Sequence, residues 1–215
     1  MEQNITLISK FKQIKPNTLI ILSGSNGSGK STTIKTIAGI LSPLKGTISI
    51  NMEDIRSQSN ARLAMHLAYA STERIYEDYI SIYEMVRFGN YPYSGGLNTE
   101  TPSESVNRAI SLMKIEHIKD KYLNEVSDGE WQKANIARVL AQDTPILLMD
   151  EPSAFLDYPS RMQLFKDLSE FCNDFNKSIL ISTHDIEIAN KYGNLFWHIE
   201  KKQLFVSKNP PVWNF

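Results

Sequence analysis

The sequence predicts an α/β fold with a mainly parallel central sheet and a helical subdomain inserted within it. Three observations lead there. Thr18-Leu19-Ile20-Ile21-Leu22-Ser23 is a short apolar, β-branched run that reads as a buried strand; a glycine-rich loop follows, and then Ile34, Ile37, Ala38 and Leu41 recur at the spacing of a helix face. Further strand-like runs alternate with helix-like stretches along the rest of the chain, the pattern of a parallel sheet with crossover helices. Between Thr72 and Asn124 that alternation stops and the texture turns helical, so residues 72–124 read as an insertion in a single domain spanning 1–215.

In chain order, Ile5 to Pro16 predicts a strand entering a turn at Lys15-Pro16-Asn17. After the first helix, Ser42 to Gly46 is a turn and Thr47 to Ile50 a strand; Asp54 to Asn60 is polar, a loop or short helix. Leu67 to Ala70 reads as a core strand. Ile82 to Phe88 and Ser103 to Met113 read as helices, separated by the turn-rich Gly89 to Pro102. Strands are expected at Ile146 to Met149, Ser178 to Ser182 and Asn194 to Ile199, with helices over Ser160 to Phe175 and Ile186 to Tyr192.

Composition narrows the function classes. Of 215 residues 41% are hydrophobic, enough for a sizeable core, and the formal net charge is −1, so no basic field points to nucleic acid as a partner. Lys201-Lys202 reads as a solvated turn. The single cysteine, Cys172, lies between Phe171 and Phe175 as a buried small hydrophobe and allows no intrachain disulfide, consistent with a reducing compartment. No apolar run reaches the length of a membrane span and no signal peptide opens the chain, so work at a membrane would need spans from other chains.

The loop Gly24-Ser25-Asn26-Gly27-Ser28-Gly29-Lys30-Ser31-Thr32 fits the P-loop pattern G-x-x-x-x-G-K-[ST] at every fixed position. Its glycines let successive N–H groups turn toward phosphate oxygens, and the following helix end adds unpaired donors. Lys30 would reach the β- and γ-phosphates of ATP, and the Ser31 hydroxyl would ligand Mg²⁺. A second motif, Ile146-Leu147-Leu148-Met149-Asp150-Glu151, is an apolar strand ending in two acids, at the strand end where α/β sheets place ligands. Asp150 suits Mg²⁺, and Glu151 suits the general base that activates water.

Val126-Ser127-Asp128-Gly129-Glu130-Trp131-Gln132 resembles the LSGGQ signature of ATP-binding-cassette (ABC) ATPases, which are P-loop NTPases, and lies in their order between the other two motifs. Ile136-Ala137-Arg138-Val139-Leu140-Ala141 is similar to that family's continuation. Pro152-Ser153-Ala154-Phe155-Leu156-Asp157 resembles its D-loop, and His184 in Ser182-Thr183-His184-Asp185 its switch histidine. His66, His117 and His198 have no such setting and read as structural. The resemblance spans Thr18 to Ile199. It implies a head-to-tail dimer in which Ser127 and Gly129 of one copy meet the γ-phosphate held by the other copy's P-loop. It also implies permease subunits as partners and a cytoplasmic position, peripheral on the inner face of the cell membrane. Tyr83 to Gly95 is similar to a stretch of importer ATPases for iron chelates (siderophores), haem and cobalamin, and the exposed-looking Tyr76, Tyr79, Tyr91 and Tyr93 suggest that the inserted block meets the permease.

The chain departs from the family pattern at three places. Thr72 stands where a glutamine is expected after Tyr69, offering a shorter-reaching hydroxyl toward Mg²⁺. Asp128 replaces the first signature glycine and brings a negative charge near the phosphates. The amino-terminal region is short, with Phe11 the nearest candidate for an aromatic stacked on adenine. Two other readings stay open beside the importer ATPase: a soluble ABC ATPase without a permease, and a weakly hydrolysing nucleotide-binding regulatory module. The intact Lys30, Asp150, Glu151 and His184 weigh against the last.

Overall fold

The computed structural model describes residues 14–71, 73–74, 78–94 and 104–210. Residues 5–13 of the expected strand, Phe11 among them, lie outside these, as do Thr72 and Tyr76; Ile14 to Pro16, within them, form no strand and enter a turn at Asn17 with φ 55°. Strand β1 (Thr18–Gly24) is followed by helix α1 (Lys30–Ile37), then a small antiparallel pair, β2 (Ser49–Ile50) and β3 (Glu53–Asp54), and helix α2 (Asn60–Ala64). Strand β4 (Leu67–Ala70) precedes the helices α3 (Ile82–Phe88), α4 (Tyr91–Ser94) and α5 (Glu104–Leu112). Helix α6 (Asp128–Ala141) leads into β5 (Ile146–Asp150), α7 (Tyr158–Asp174), β6 (Ser178–Ser182), α8 (Ile186–Tyr192), β7 (Leu195–Glu200) and β8 (Gln203–Ser207).

The main sheet runs β4-β5-β6-β1-β7-β8, parallel through its first five strands, with β8 antiparallel at the edge. Leu19 to Leu22 of β1 are each 1% exposed or less, because both faces of a parallel sheet are covered. The strand period of two then sorts the core. Leu19 and Ile21, Leu147 and Met149, and Ile179 and Ile181 join one apolar cluster. Ile20 and Leu22, Leu148 and Leu180 join a second cluster on the opposite face, with Ile34, Ile55 and Leu63.

Helix α6 organises the first cluster. Trp131, Ala134, Ala137 and Ala141 are buried in it, and Ile82, Val86, Val106 and Ile110 of the helical block share the same cluster as the sheet face. The block therefore has apolar contact running through α6 to β1, β5 and β6. Along another stripe of α6, residues three or four apart carry side-chain donors. Gln132 donates to Pro152 O (3.1 Å), Asn135 to Ser71 O (2.7 Å), Arg138 to Tyr69 O (3.2 Å), and Gln142 to Ala64 O (2.7 Å) and Leu67 O (3.1 Å). Leaving one such buried carbonyl unpaired would cost about 1–3 kcal/mol. These bonds fix α6 against the ends of β4 and β5, and so fix where its first turn points.

Most expected elements form, with shifted ends. The strand expected at Thr47 to Ile50 pairs only at Ser49–Ile50, and the polar stretch after it holds β3, a 3₁₀ turn at Ile55–Ser57 and the start of α2. The turn-rich stretch after Gly89 contains the short α4. Leu67 to Ala70 is buried as expected, but at the sheet's edge. Cys172 is buried. Strand β8 was not anticipated. It closes a two-residue hairpin in which Lys201 and Lys202 both have positive φ, 47° and 62°, the backbone of a type I′ turn that asparagine and glycine ordinarily supply.

Candidate active site

The register of the sheet assembles the site. Leu22 of β1 and Asp150 of β5 both align with Ser182 of β6, so the glycine loop, the two acids and the Thr183-His184 turn leave the same end of three adjacent strands. Gly24 must be glycine for space: a Cβ there would stand 2.7 Å from both Ile199 O and Ser28 Oγ. Gly29 caps α1 at φ 103°, a left-handed conformation that glycine adopts without strain.

Lys30 is 7% exposed, with its ammonium donating to Gly24 O (3.0 Å) and Ser25 O (3.3 Å). Burial pushes its pKa below the usual lysine range, against the opposing fields of Glu151 and Asp150. Ser31 and Thr32 are exposed at the start of α1, and the buried Ser28 hydroxyl meets no partner among the described residues. Ser25, Asn26 and Gly27 stand open on the loop.

Asp150 receives the Ser182 hydroxyl at 2.5 Å on Oδ1. Its neighbour Glu151 has φ 49°, a left-handed backbone that is costly for a residue with a Cβ and is common at functional sites. Two acceptors hold that turn, since Glu151 N–H donates to both Ser182 O (3.1 Å) and Ser182 Oγ (3.0 Å). The carboxylate lies 2.9 Å from His184 Nε2 and accepts the His184 backbone N–H at 3.3 Å. Burial raises the Glu151 pKa above the usual carboxylate range; His184 and Lys30 pull it back, and Asp150 adds to the rise. A partly desolvated carboxylate holds a proton more readily than an exposed one, the property a general base needs.

Motif residues with no role assigned from sequence, together with Arg161 outside the motifs, hold this corner in place. Asp185 accepts Ser153 Oγ at 2.5 Å and pairs with Arg161 at 2.8 Å, while Arg161 Nε also reaches Leu156 O at 2.7 Å. Together they tie the segment after Glu151 to the segment after His184. Asp157 is the N-cap of α7, accepting Ser160 N–H at 2.9 Å. A cleft of about 640 Å³ opens beside the loop, lined by Ser25, Asn26, Tyr158, His184, Glu187 and His198. His198, expected as structural, approaches Ser23 Oγ at 3.2 Å, and burial lowers its pKa.

Ser127, Asp128 and Gly129 lie elsewhere, at the start of α6. Ser127 and Glu130 form a capping box, so the N–H of Glu130 is satisfied by the Ser127 side chain. The N–H groups of Asp128 and Gly129 occupy the first two helical positions, where the helix offers no acceptor. No hydrogen bond or ion pair among the described residues links Ser127 or Gly129 to Lys30, Ser31, Asp150 or Glu151. The chain thus brings Lys30, Asp150, Glu151 and His184 together and leaves the signature turn apart from them.

A divalent ion fits this chemistry only in part through protein groups. Among the described residues no cluster of three His, Cys, Asp or Glu could hold a metal, yet Asp150 keeps one oxygen without a donor and Ser31 an exposed hydroxyl. One carboxylate and one hydroxyl, with phosphate and water completing the shell, is a set that suits Mg²⁺.

The sequence pattern of the ABC transporter family matches residues 11–154. The achromobactin transport ATP-binding protein CbrD of Dickeya dadantii is 32% identical over 200 residues, covering 92% of this chain and 74% of that protein. The petrobactin import ATP-binding protein YclP of Bacillus subtilis is 34% identical over 188 residues, 87% of this chain and 74% of that protein. A dimeric ATP-binding cassette in a post-hydrolysis state, bound to ADP and Pi, shares the fold with a TM-score of 0.84 over 99% of this chain and 95% of that one, at 21% identity. The chain belongs to the ABC transporter family and is one of its ATP-binding, ATP-hydrolysing members.

Proposed function

We propose that this chain hydrolyses ATP as one half of a head-to-tail pair of identical copies, docked on a separate membrane permease that imports an iron chelate, haem or cobalamin. The observation that carries the reading is the turn at Asp150-Glu151. A strained backbone, held by Ser182, aims a partly buried carboxylate at His184 beside the glycine loop. In this reading the loop from Gly24 to Thr32 wraps the triphosphate with backbone N–H groups, and Lys30 exchanges its loop carbonyls for phosphate oxygens. Ser31 and Asp150 would hold Mg²⁺, which supplies charge neutralisation at the phosphates. Glu151 takes the proton from the attacking water, and His184 keeps the carboxylate oriented and stabilises charge near the γ-phosphate. Ser127 and Gly129 of the second copy close over that phosphate.

The importer assignment is supported by the names of the relatives, which transport achromobactin or import petrobactin. The permease contact is supported by exposed aromatics on the helical block, Tyr79 at 89% and Tyr91 at 56%. Among the described residues no helix is long and apolar enough to cross a membrane, so the proposal places the spans in the permease and this chain at the membrane's inner face.

Glu151→Gln tests the reading. The amide keeps the shape but cannot accept the proton, so turnover should fall on the order of 10²–10⁴-fold while ATP binding persists. Size-exclusion chromatography should then show a monomer without nucleotide and a dimer with Mg-ATP. Wild-type turnover in the variant would remove Glu151 as the base, and lost turnover without a dimer would remove the paired arrangement.

A further inference from the structure

Asp128 poses an electrostatic problem that the folded chain answers. It is the first residue of α6, where the positive end of the helix favours a negative charge. A carboxylate there competes with an incoming phosphate for that helix end and also repels it. Arg74, far away in sequence on the loop after β4, pairs with Asp128 through Nη1. Its Nη2 donates to Leu123 O at 2.9 Å and to Val126 O at 3.3 Å, the carbonyls just ahead of the signature turn. The guanidinium is 21% exposed and the carboxylate 60% exposed. The carboxylate end is open to water and screened there, so the pair is worth less to folding than a buried one.

The residue before Arg74 reaches the opposite way. Glu73 pairs at 3.2 Å with Lys35 of α1, the helix that begins with Lys30. Two adjacent residues therefore tie the helix under the glycine loop to the helix that carries the signature. Ser71, two positions earlier, is held by Asn135 of α6.

We propose that Arg74 is a positioning residue for ATP-driven closure of two copies. It cancels the Asp128 charge and holds the Leu123 and Val126 carbonyls, so that the N–H groups opening α6 are offered to the triphosphate of the other copy. The inference rests on the reading in which Ser127 and Gly129 face a nucleotide across the pair. It makes Asp128 and Arg74 a matched unit, in which the acid is tolerated because the base is present.

The test is a double-mutant cycle on the full chain, reading steady-state ATPase activity and, in the Glu151→Gln background, Mg-ATP-dependent dimer formation. Arg74→Ala should lower turnover by about tenfold at low salt, since an uncancelled charge near phosphates is only weakly screened there, and should leave the ATP affinity of the single subunit unchanged. Adding Asp128→Asn should restore most of the loss, and so should raising the salt concentration. Arg74→Lys, which keeps the charge, should lose less than Arg74→Ala. If Arg74→Ala does not fold, Arg74→Gln keeps a donor for the carbonyls without the charge and carries the same comparison. Wild-type turnover in the uncharged variants overturns the proposal. So does a loss that neither Asp128→Asn nor salt relieves, because Arg74 would then be only a strut. Ser127→Arg separates the levels: if it leaves turnover and dimer formation intact, the paired arrangement itself fails. If it blocks both while Arg74→Ala has no effect, this inference alone fails.

Discussion

The corner at the strand ends and the first turn of α6 are built on opposite principles. At the corner, each reactive side chain has partners within the chain: Lys30 on two loop carbonyls, Asp150 on Ser182, Glu151 beside His184. Burial shifts Lys30 and Glu151 toward their neutral forms, and the sheet register holds the group in place. The α6 turn is the reverse. Its cap is internally complete through Ser127 and Glu130, yet the next two N–H groups have no acceptor in their own helix, and a Cβ at Gly129 would sit tight at 3.2 Å from Phe155 O. In the proposed function the first region does the chemistry and the second receives an anion. The proposed pairing of two copies is what would bring the two regions together.

The largest effect expected from breaking this contrast is at Lys30. Lys30→Ala removes a cation from beside several phosphate charges, and charge-assisted bonds of this kind are worth enough that ATP affinity should fall ~100-fold or more by calorimetry. Unchanged affinity would mean that the corner does not hold the phosphates. Gly129→Leu strikes the other region. A Cβ there lies 3.2 Å from Phe155 O, so the turn must shift, and turnover should fall about tenfold or more through misplacement while single-subunit ATP affinity stays at the wild-type value. If affinity in the single subunit falls equally, the two regions are not independent.

Smaller effects sharpen the picture. Tyr91→Ala, on the helical block beyond both regions, should weaken co-purification with the permease a few-fold, in the way an interface anchor does, and leave ATP binding alone. The smallest effect is on stability. Because the folded state raises the Glu151 pKa, the native chain holds a proton that the unfolded chain releases. Stability at this site is therefore lost as pH rises from the ordinary value of 4.5 through the raised one. Glu151→Gln should match wild type in acid and unfold at a higher temperature than wild type above that window. A calorimetric melt as a function of pH reads this, and a variant that is less stable at neutral pH would mean that the His184 attraction outweighs the burial.

Much of the corner was legible because its parts are local. A β-branched run, a glycine loop and an apolar helix period specify β1, the turn and α1 within a few residues of one another. Ser127 with Glu130 three residues on announces a helix start, and the structure caps α6 with that pair. The turn at Lys201-Lys202 was legible as a solvated turn, but strand β8 beyond it was not, because two lysines at positive φ carry none of the asparagine or glycine that marks a tight hairpin. The Arg161–Asp185 pair carried no signal either, although Asp185 stands in the motif around His184. Their bond joins segments 24 residues apart, and Arg161 alone reads as an ordinary surface charge.

Residue order alone dictates the identity of the chemistry: a phosphate loop at Gly24 to Thr32, paired acids at Asp150 and Glu151, a histidine after the Ser178 strand, a capped helix at Ser127. Tertiary structure alone decides what those groups are next to. Placing β6 between β5 and β1 puts Ser182 under Asp150 and swings His184 onto Glu151, and the loop after β4 brings Arg74 to Asp128. The physical reason is that backbone conformation is set by neighbours along the chain, whereas strand order is set by how both faces of the whole sheet become buried. No local pattern records which strands that burial makes adjacent.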